Sequence, residues 1–162
     1  MKKDQILEHI YFLNEAIKEA RKGMKAGAGG PFGAVIVKDG KIIARGHNCV
    51  TSTNDPTAHA EVTAIRNACK KLKSFELKNC VIYSSCEPCP MCLGAIYWAR
   101  PKALYYAADR LRAADSNFDD EAIYKEVPLA PGDRSLKTVR IAIPGSDVPF
   151  NEWDAKEDKT EY

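Results

Sequence analysis

Three side chains in two short stretches have the types and spacing of metal ligands. His59 lies in Pro56-Thr57-Ala58-His59-Ala60-Glu61-Val62, and Cys89 and Cys92 lie in Ser85-Cys86-Glu87-Pro88-Cys89-Pro90-Met91-Cys92. One imidazole and a Cys-x-x-Cys pair supply three ligands for zinc. A tetrahedral ion with three protein ligands keeps its fourth place for water, the catalytic arrangement, whereas four protein ligands close the site. Water at such an ion loses a proton near neutral pH. Glu61, two residues beyond His59, is a carboxylate free to carry that proton. Cys86 and Cys89 share the spacing of Cys89 and Cys92, so the residues alone leave two thiol pairs open. Pro88 falls inside the first pair and before the expected helix, which leaves those thiols less aligned. A structural zinc could recruit Cys86 as a fourth ligand, but Glu61 would then have no purpose.

The elements around these residues must bring them together. Asn54-Asp55-Pro56-Thr57 reads as a helix start, and the helix continues through Val62, Ala64, Ile65, Ala68 and Leu72. Two residues apart on a helix, His59 and Glu61 diverge by about 200°. That suits one ligand plus one proton carrier better than two ligands. Residues 79–84 read as a strand. After the cysteine turn a helix runs over 91–99, stopped by Arg100-Pro101. Cys89 and Cys92 therefore sit at a helix start, where N–H groups and the dipole favour thiolates.

The rest of the chain supplies a frame. Ile6, Ile10, Leu13, Ile17, Ala20 and Met24 recur at helical steps and predict one packing face. Residues 33–37 and 42–48 read as strands joined by Lys38-Asp39-Gly40-Lys41, because Asp-Gly accepts the positive angles of a hairpin turn. Residues 103–108 read as a strand, 109–118 as a loop, 118–124 as a short helix with an acidic first turn, and 139–143 as a last strand. Phe150 and Trp153 stand three apart as apolar anchors in a polar tail. The order α-β-β-α-β-α-β-α-β predicts an α/β fold, three-layer α/β/α with a five-stranded mixed central sheet.

Length and charge narrow the classes. A chain of 162 residues is the size of one domain. Its 24 basic and 22 acidic side chains leave no broad basic footprint, so no DNA or RNA partner is expected. No apolar run has signal-peptide or membrane-spanning character, so no membrane partner and a cytoplasmic location are expected. There, six cysteines are thiols or metal ligands rather than disulfides. His9, His47 and His59 are the whole choice of imidazole.

His-x-Glu followed by Pro-Cys-x-x-Cys is the signature of zinc nucleobase deaminases. With residues 29–37, 52–61, 84–101, 117–120 and 161–162, the chain resembles the bacterial guanine deaminases of the cytidine deaminase-like superfamily. The resemblance covers nearly the whole chain and is weakest at the first helix and over 126–158. It implies one zinc-dependent deaminase domain over 1–162 that converts guanine to xanthine and ammonia. It settles the ligand choice on His59, Cys89 and Cys92, with Glu61 as proton shuttle. It further implies that Phe32 stacks on the base, that Asn48 bonds its polar edge, and that Ala60 contacts it. Asp120 becomes the carboxylate for the departing amine, with Asp119 beside it as the alternative. Tyr162 becomes a substrate-contacting tail residue, and 144–162 a tail or lid swapped between the subunits of a homodimer. By pattern alone Phe32 reads equally as a core ring, Asn48 as a turn residue and Tyr162 as a frayed end. The rivals are a tRNA adenosine deaminase, a guanosine or cytidine deaminase, and a zinc-binding module without catalysis. The tRNA enzymes are expected to carry a basic, Gly-rich segment after the fourth strand, and Ala107-Ala108-Asp109-Arg110-Leu111-Arg112-Ala113-Ala114-Asp115 departs from it.

Overall fold

A computed structural model describes residues 3–161. Helix α1 spans Lys3–Lys25, and strands β1 (Gly33–Lys38) and β2 (Lys41–His47) follow. A short α2 (Val50–Thr53) leads to α3 (Ala60–Leu72), β3 (Cys80–Cys86), α4 (Pro90–Ala99) and β4 (Ala103–Ala108). Beyond these lie α5 (Arg110–Ala114), α6 (Glu121–Glu126), a 3-10 turn (Pro131–Asp133) and α7 (Val148–Ala155). The chain groups into two compact units, one up to Asp120 and one from Glu121.

In the first unit the strands form one sheet in the order β2-β1-β3-β4. β1 is antiparallel to β2 and β3, and β3 is parallel to β4 across the α4 crossover. The hairpin turn is where Asp-Gly placed it, with φ of 49° at Asp39 and 70° at Gly40. Side chains alternate across the sheet, as period two requires. Ala34, Ile36 and Ile82 join Ala60, Ala64, Ala68 and Ile96 in one core cluster. Val35, Val37 and Tyr83 join Phe12 in the other. Helices therefore cover both faces, α3 and α4 on one and α1 on the other. Gly46 lets α3 approach closely, since a Cβ there would strike the Ala60 carbonyl oxygen and the Ala64 nitrogen.

The structure corrects three expectations. The mixed sheet has four strands, not five. Residues 139–143 form no strand and have no ladder partner among the described residues, and Val139, Ile141 and Ile143 are 66%, 78% and 62% exposed. Alternating apolar residues make a segment able to be a strand; pairing with a sheet edge makes it one. Second, α1 turns only part of the expected stripe to the sheet, with Ala20 buried and Leu13 packed partly against the core. Phe12, Glu15, Ala16, Glu19, Ala20 and Gly23 are its buried residues, while Ile6, Ile10, Ile17 and Met24 are exposed. Small side chains let the helix lie close to the sheet, and Arg45 of β2 takes up the two carboxylates, at 2.7 Å from Glu15 and 3.5 Å from Glu19. Third, α5 lies inside the stretch that reads as a loop, because Asp109 caps it by accepting the Arg112 N–H at 2.8 Å.

In the second unit none of the described residues is buried, including Phe150 and Trp153 on α7. Among the described residues no helix is long and apolar enough to cross a membrane.

Candidate active site

Local turns place the ligands. α3 starts at Ala60, not near Asn54. Asn54 closes α2 in the left-handed region, and Asp55 accepts the Thr57 N–H at 2.8 Å and its hydroxyl at 2.7 Å. This Asx turn uses the residues that looked like a helix cap. The true N-cap is His59, in extended backbone with no capping bond from its ring. Cys89 repeats the arrangement at α4, again extended and without a side-chain cap, followed by Pro90 in the first turn. Two helix N-termini thus each bring an N-cap side chain to one point, and Cys92 joins from the first turn of α4.

His59 Nδ1 lies 3.6 Å from Cys89 Sγ and 3.5 Å from Cys92 Sγ. All three ligand atoms fall within 4.8 Å of one another. Zinc with ordinary Zn–S and Zn–N bonds at the tetrahedral angle requires about 3.5 Å between sulfur and nitrogen. The residues fit the ion in type and in spacing. The rival Cys86 is not in this group: its thiol donates to the Asp109 carbonyl at 3.5 Å, and burial pushes it up to about 11.

The thiols are electrostatically unequal. A hydrogen bond from Cys92 and another from His59 hold the Cys89 thiol down at about 4 despite burial. Cys92 is raised, by its bond to Cys89 and then by burial. His59 is raised, chiefly by its bond to Cys89. Three closely packed ligand groups thus compete for protons, which a divalent cation would displace.

Glu61 follows on α3 and is 4% exposed. Burial raises its carboxyl, and hydrogen bonds from Ser84 and Cys92 act against that rise. Ser84 donates to Glu61 Oε1 at 2.7 Å and is itself buried. Sequence reasoning passed over Ser84, although strand alternation puts it on the α3 face of β3. Its neighbour Ser85 faces the other way and accepts the Gly33 N–H at 3.0 Å, tethering the chain directly after Phe32.

The expected base-binding residues are placed as follows. Asn48 is 5% exposed, and its Oδ1 accepts the Gly30 N–H at 3.2 Å and the Val50 N–H at 3.1 Å. Two donors on that oxygen turn the amide NH2 outward as a donor. Gly29 leaves room for this, since a Cβ there would strike Asn48 Oδ1. The Phe32 carbonyl accepts the Asn48 N–H at 3.0 Å, so the two residues are tied through the backbone. The Phe32 ring meets Phe118 edge-on at 5.0 Å. Ala60 is fully buried, with its methyl in the core. Asp120 is partly buried, its carboxyl raised first by burial and also by the Cys89 thiolate, whereas Asp119 is exposed. Tyr162 lies outside the described residues.

Glu87, inside the cysteine motif, ties two loops. Its N–H donates to the Ala108 carbonyl at 2.8 Å, and its Oε2 accepts the Arg110 N–H at 3.1 Å. The stretch held this way leads through α5 to Phe118 and Asp120. On the α1 face, a cavity of about 310 Å³ is lined by Ile17, Met24, Phe32, Cys86 and Phe118 among others, but by none of the metal-group residues.

Comparison with known proteins agrees with this geometry. Residues 7–108 match the cytidine and deoxycytidylate deaminase zinc-binding region. The chain is 54% identical over 156 residues to a guanine deaminase of Bacillus subtilis (strain 168), covering 96% of this chain and 100% of that one. It superposes on the X-ray structure of guanine deaminase from Bacillus subtilis with a TM-score of 0.92 at 52% identity, covering 100% of this chain and 99% of that one. A tRNA-specific adenosine deaminase of Aquifex aeolicus (strain VF5) is 44% identical over 101 residues, which is 62% of this chain and 66% of that one.

Proposed function

The chain belongs to the cytidine and deoxycytidylate deaminase family, and within it we infer a zinc-dependent enzyme that hydrolyses guanine to xanthine and ammonia. The observation that carries this reading is the near full-length likeness to a guanine deaminase, together with the His59, Cys89 and Cys92 cluster. The likeness to the Aquifex aeolicus tRNA-specific adenosine deaminase covers 62% of this chain.

Zinc held by His59, Cys89 and Cys92 supplies a Lewis acid that makes hydroxide available near neutral pH. Glu61 accepts the proton of the attacking water and passes it to the ring nitrogen beside the amine-bearing carbon. That carbon becomes electrophilic, oxygen adds to it, and the C–N bond breaks once Glu61 has moved the second proton to the amine. Phe32 stacks on the purine. Asn48 donates its amide hydrogen to the base carbonyl, an orientation supported by the two N–H groups on its Oδ1. Ala60 contributes through its backbone at the first turn of α3, its methyl being in the core. Asp120, rather than the exposed Asp119, faces the departing amine. Its neighbour Arg110 acts against the rise in its carboxyl.

The working unit in this reading is a cytoplasmic homodimer in which 144–162 passes to the second copy and Tyr162 completes its site. Support comes from the second unit, which buries none of its described side chains. DNA, RNA and membranes are not partners in this reading.

Ammonia release from zinc-loaded protein tests the function, with guanine, guanosine, cytosine, cytidine, adenine and a tRNA bearing a target adenosine as substrates. Guanine is expected to react. Release from tRNA or cytidine but not guanine would keep the zinc chemistry and discard the proposed pocket.

A further inference from the structure

A proton shuttle needs its carboxylate pointed, not merely present. Glu61 is near the start of α3, and its last torsion joins an sp³ to an sp² carbon. Such torsions are broad and do not settle in sharp wells, so α3 alone leaves the plane of the carboxylate undetermined. The surroundings do determine it. The Ser84 hydroxyl reaches Oε1 at 2.7 Å. Ser84 is 1% exposed and sits in the middle of the sheet, paired with Ala34 on β1 and Tyr106 on β4. Glu61 is therefore tied to a rigid interior strand. A hydroxyl donated from a strand with partners on both sides cannot follow the carboxylate if it turns away.

We propose that Ser84 is a positioning residue for the deamination, pinning one oxygen of Glu61 so that the carboxylate addresses the metal-ligand cluster and the base. This rests on the reading of Glu61 as the proton shuttle. Ser84 touches neither substrate nor metal in this assignment. Its loss acts on the chemical step, because a carboxylate free to rotate delivers its proton from a smaller share of its orientations, while binding of the base through Phe32 and Asn48 is untouched.

The test uses zinc-loaded Ser84→Ala, Ser84→Cys and Ser84→Thr, with Glu61→Ala as control. Ser84→Ala is expected to lower kcat by about 10- to 100-fold, the scale of one hydrogen bond to a charged group. KM for guanine should stay within about twofold and zinc at one per chain. Ser84→Thr keeps the hydroxyl and should recover most of kcat. Ser84→Cys keeps the volume with a weak donor and should behave as Ala does, which covers the case of an Ala variant that fails to fold. In denaturant unfolding, Ser84→Ala and Glu61→Ala should be non-additive, as expected of partners in contact. Full kcat in Ser84→Ala or Ser84→Cys, a rise in KM equal to the fall in kcat/KM, or additive unfolding effects would overturn the assignment. Turnover persisting in Glu61→Ala would instead overturn the shuttle reading beneath it.

Discussion

Asn48 separates two jobs that usually travel together. Its Oδ1 secures the loop through Gly30 and Val50, while its NH2 is the donor that the proposed function gives to the base. Asn48→Asp keeps the acceptor and removes the donor. It should raise KM for guanine at least about tenfold with little change in the thermal midpoint, since the loop bonds survive. Asn48→Ala should cost both affinity and about 1–3 kcal/mol of stability, because two backbone N–H groups lose their acceptor. Equal losses of stability in the two variants would sink this division. Thiol identity is tested in the same spirit by zinc content. Cys89→Ser should release most of the metal, and Cys86→Ser should retain it, because the Cys86 thiol is spent on the Asp109 carbonyl. At this scale the sequence was most legible. The ligand types and the Glu61 spacing were readable from the motif, because a metal accepts few ligand types. Ser84 was not singled out, because a serine in a strand has no signal until its partner across the core is known.

Elements are where pattern and packing disagreed. Of the expected stripe, Leu13 and Ala20 pack against the core while Ile6, Ile10, Ile17 and Met24 stay exposed, since the sheet selected small residues and the Glu15 and Glu19 carboxylates instead. Glu15 gives α1 a pH response. The Glu15 carboxyl is held below its ordinary value, first by Lys18 and then by Arg45. A depressed carboxyl adds stability above its unfolded value, and that stability is lost as pH falls through the folded one. The unfolding midpoint should therefore drop as pH falls below about 4.5, the ordinary glutamate range. Glu15→Gln should be less stable at pH 7 and flatter below that range. An identical acid limb in both proteins would show that Glu15 is not involved. The Glu87 clamp belongs to this scale too. Glu87→Gln keeps an acceptor for the Arg110 N–H, whereas Glu87→Ala does not. Only the Ala variant should loosen the path to Phe118 and Asp120, seen as faster amide exchange over 110–118.

The whole molecule presents an imbalance of apolar surface. The first unit has two buried clusters, but α1 leaves its isoleucines uncovered and β4 is one of the two edge strands of the sheet. The second unit has no buried residue among those described and exposes Leu136, Val139, Ile141, Ile143, Val148 and Phe150. Apolar surface on that scale marks an interaction site in a folded protein. The period-two pattern over 139–143 was legible as a strand, but its ladder partner was not, because periodicity carries no information about which edge, or which copy, completes it. The proposed homodimer, in which 144–162 passes to the second copy, would cover apolar surface on both halves, and it is expected in light scattering at micromolar concentration. Ile141→Asp places a charge on the exposed row without touching the metal group. It should shift the protein towards monomer and lower activity, while each chain keeps its zinc. A wild-type protein that is monomeric and fully active would remove the swapped tail from the mechanism. An Ile141→Asp variant that stays dimeric and active would place the interface elsewhere.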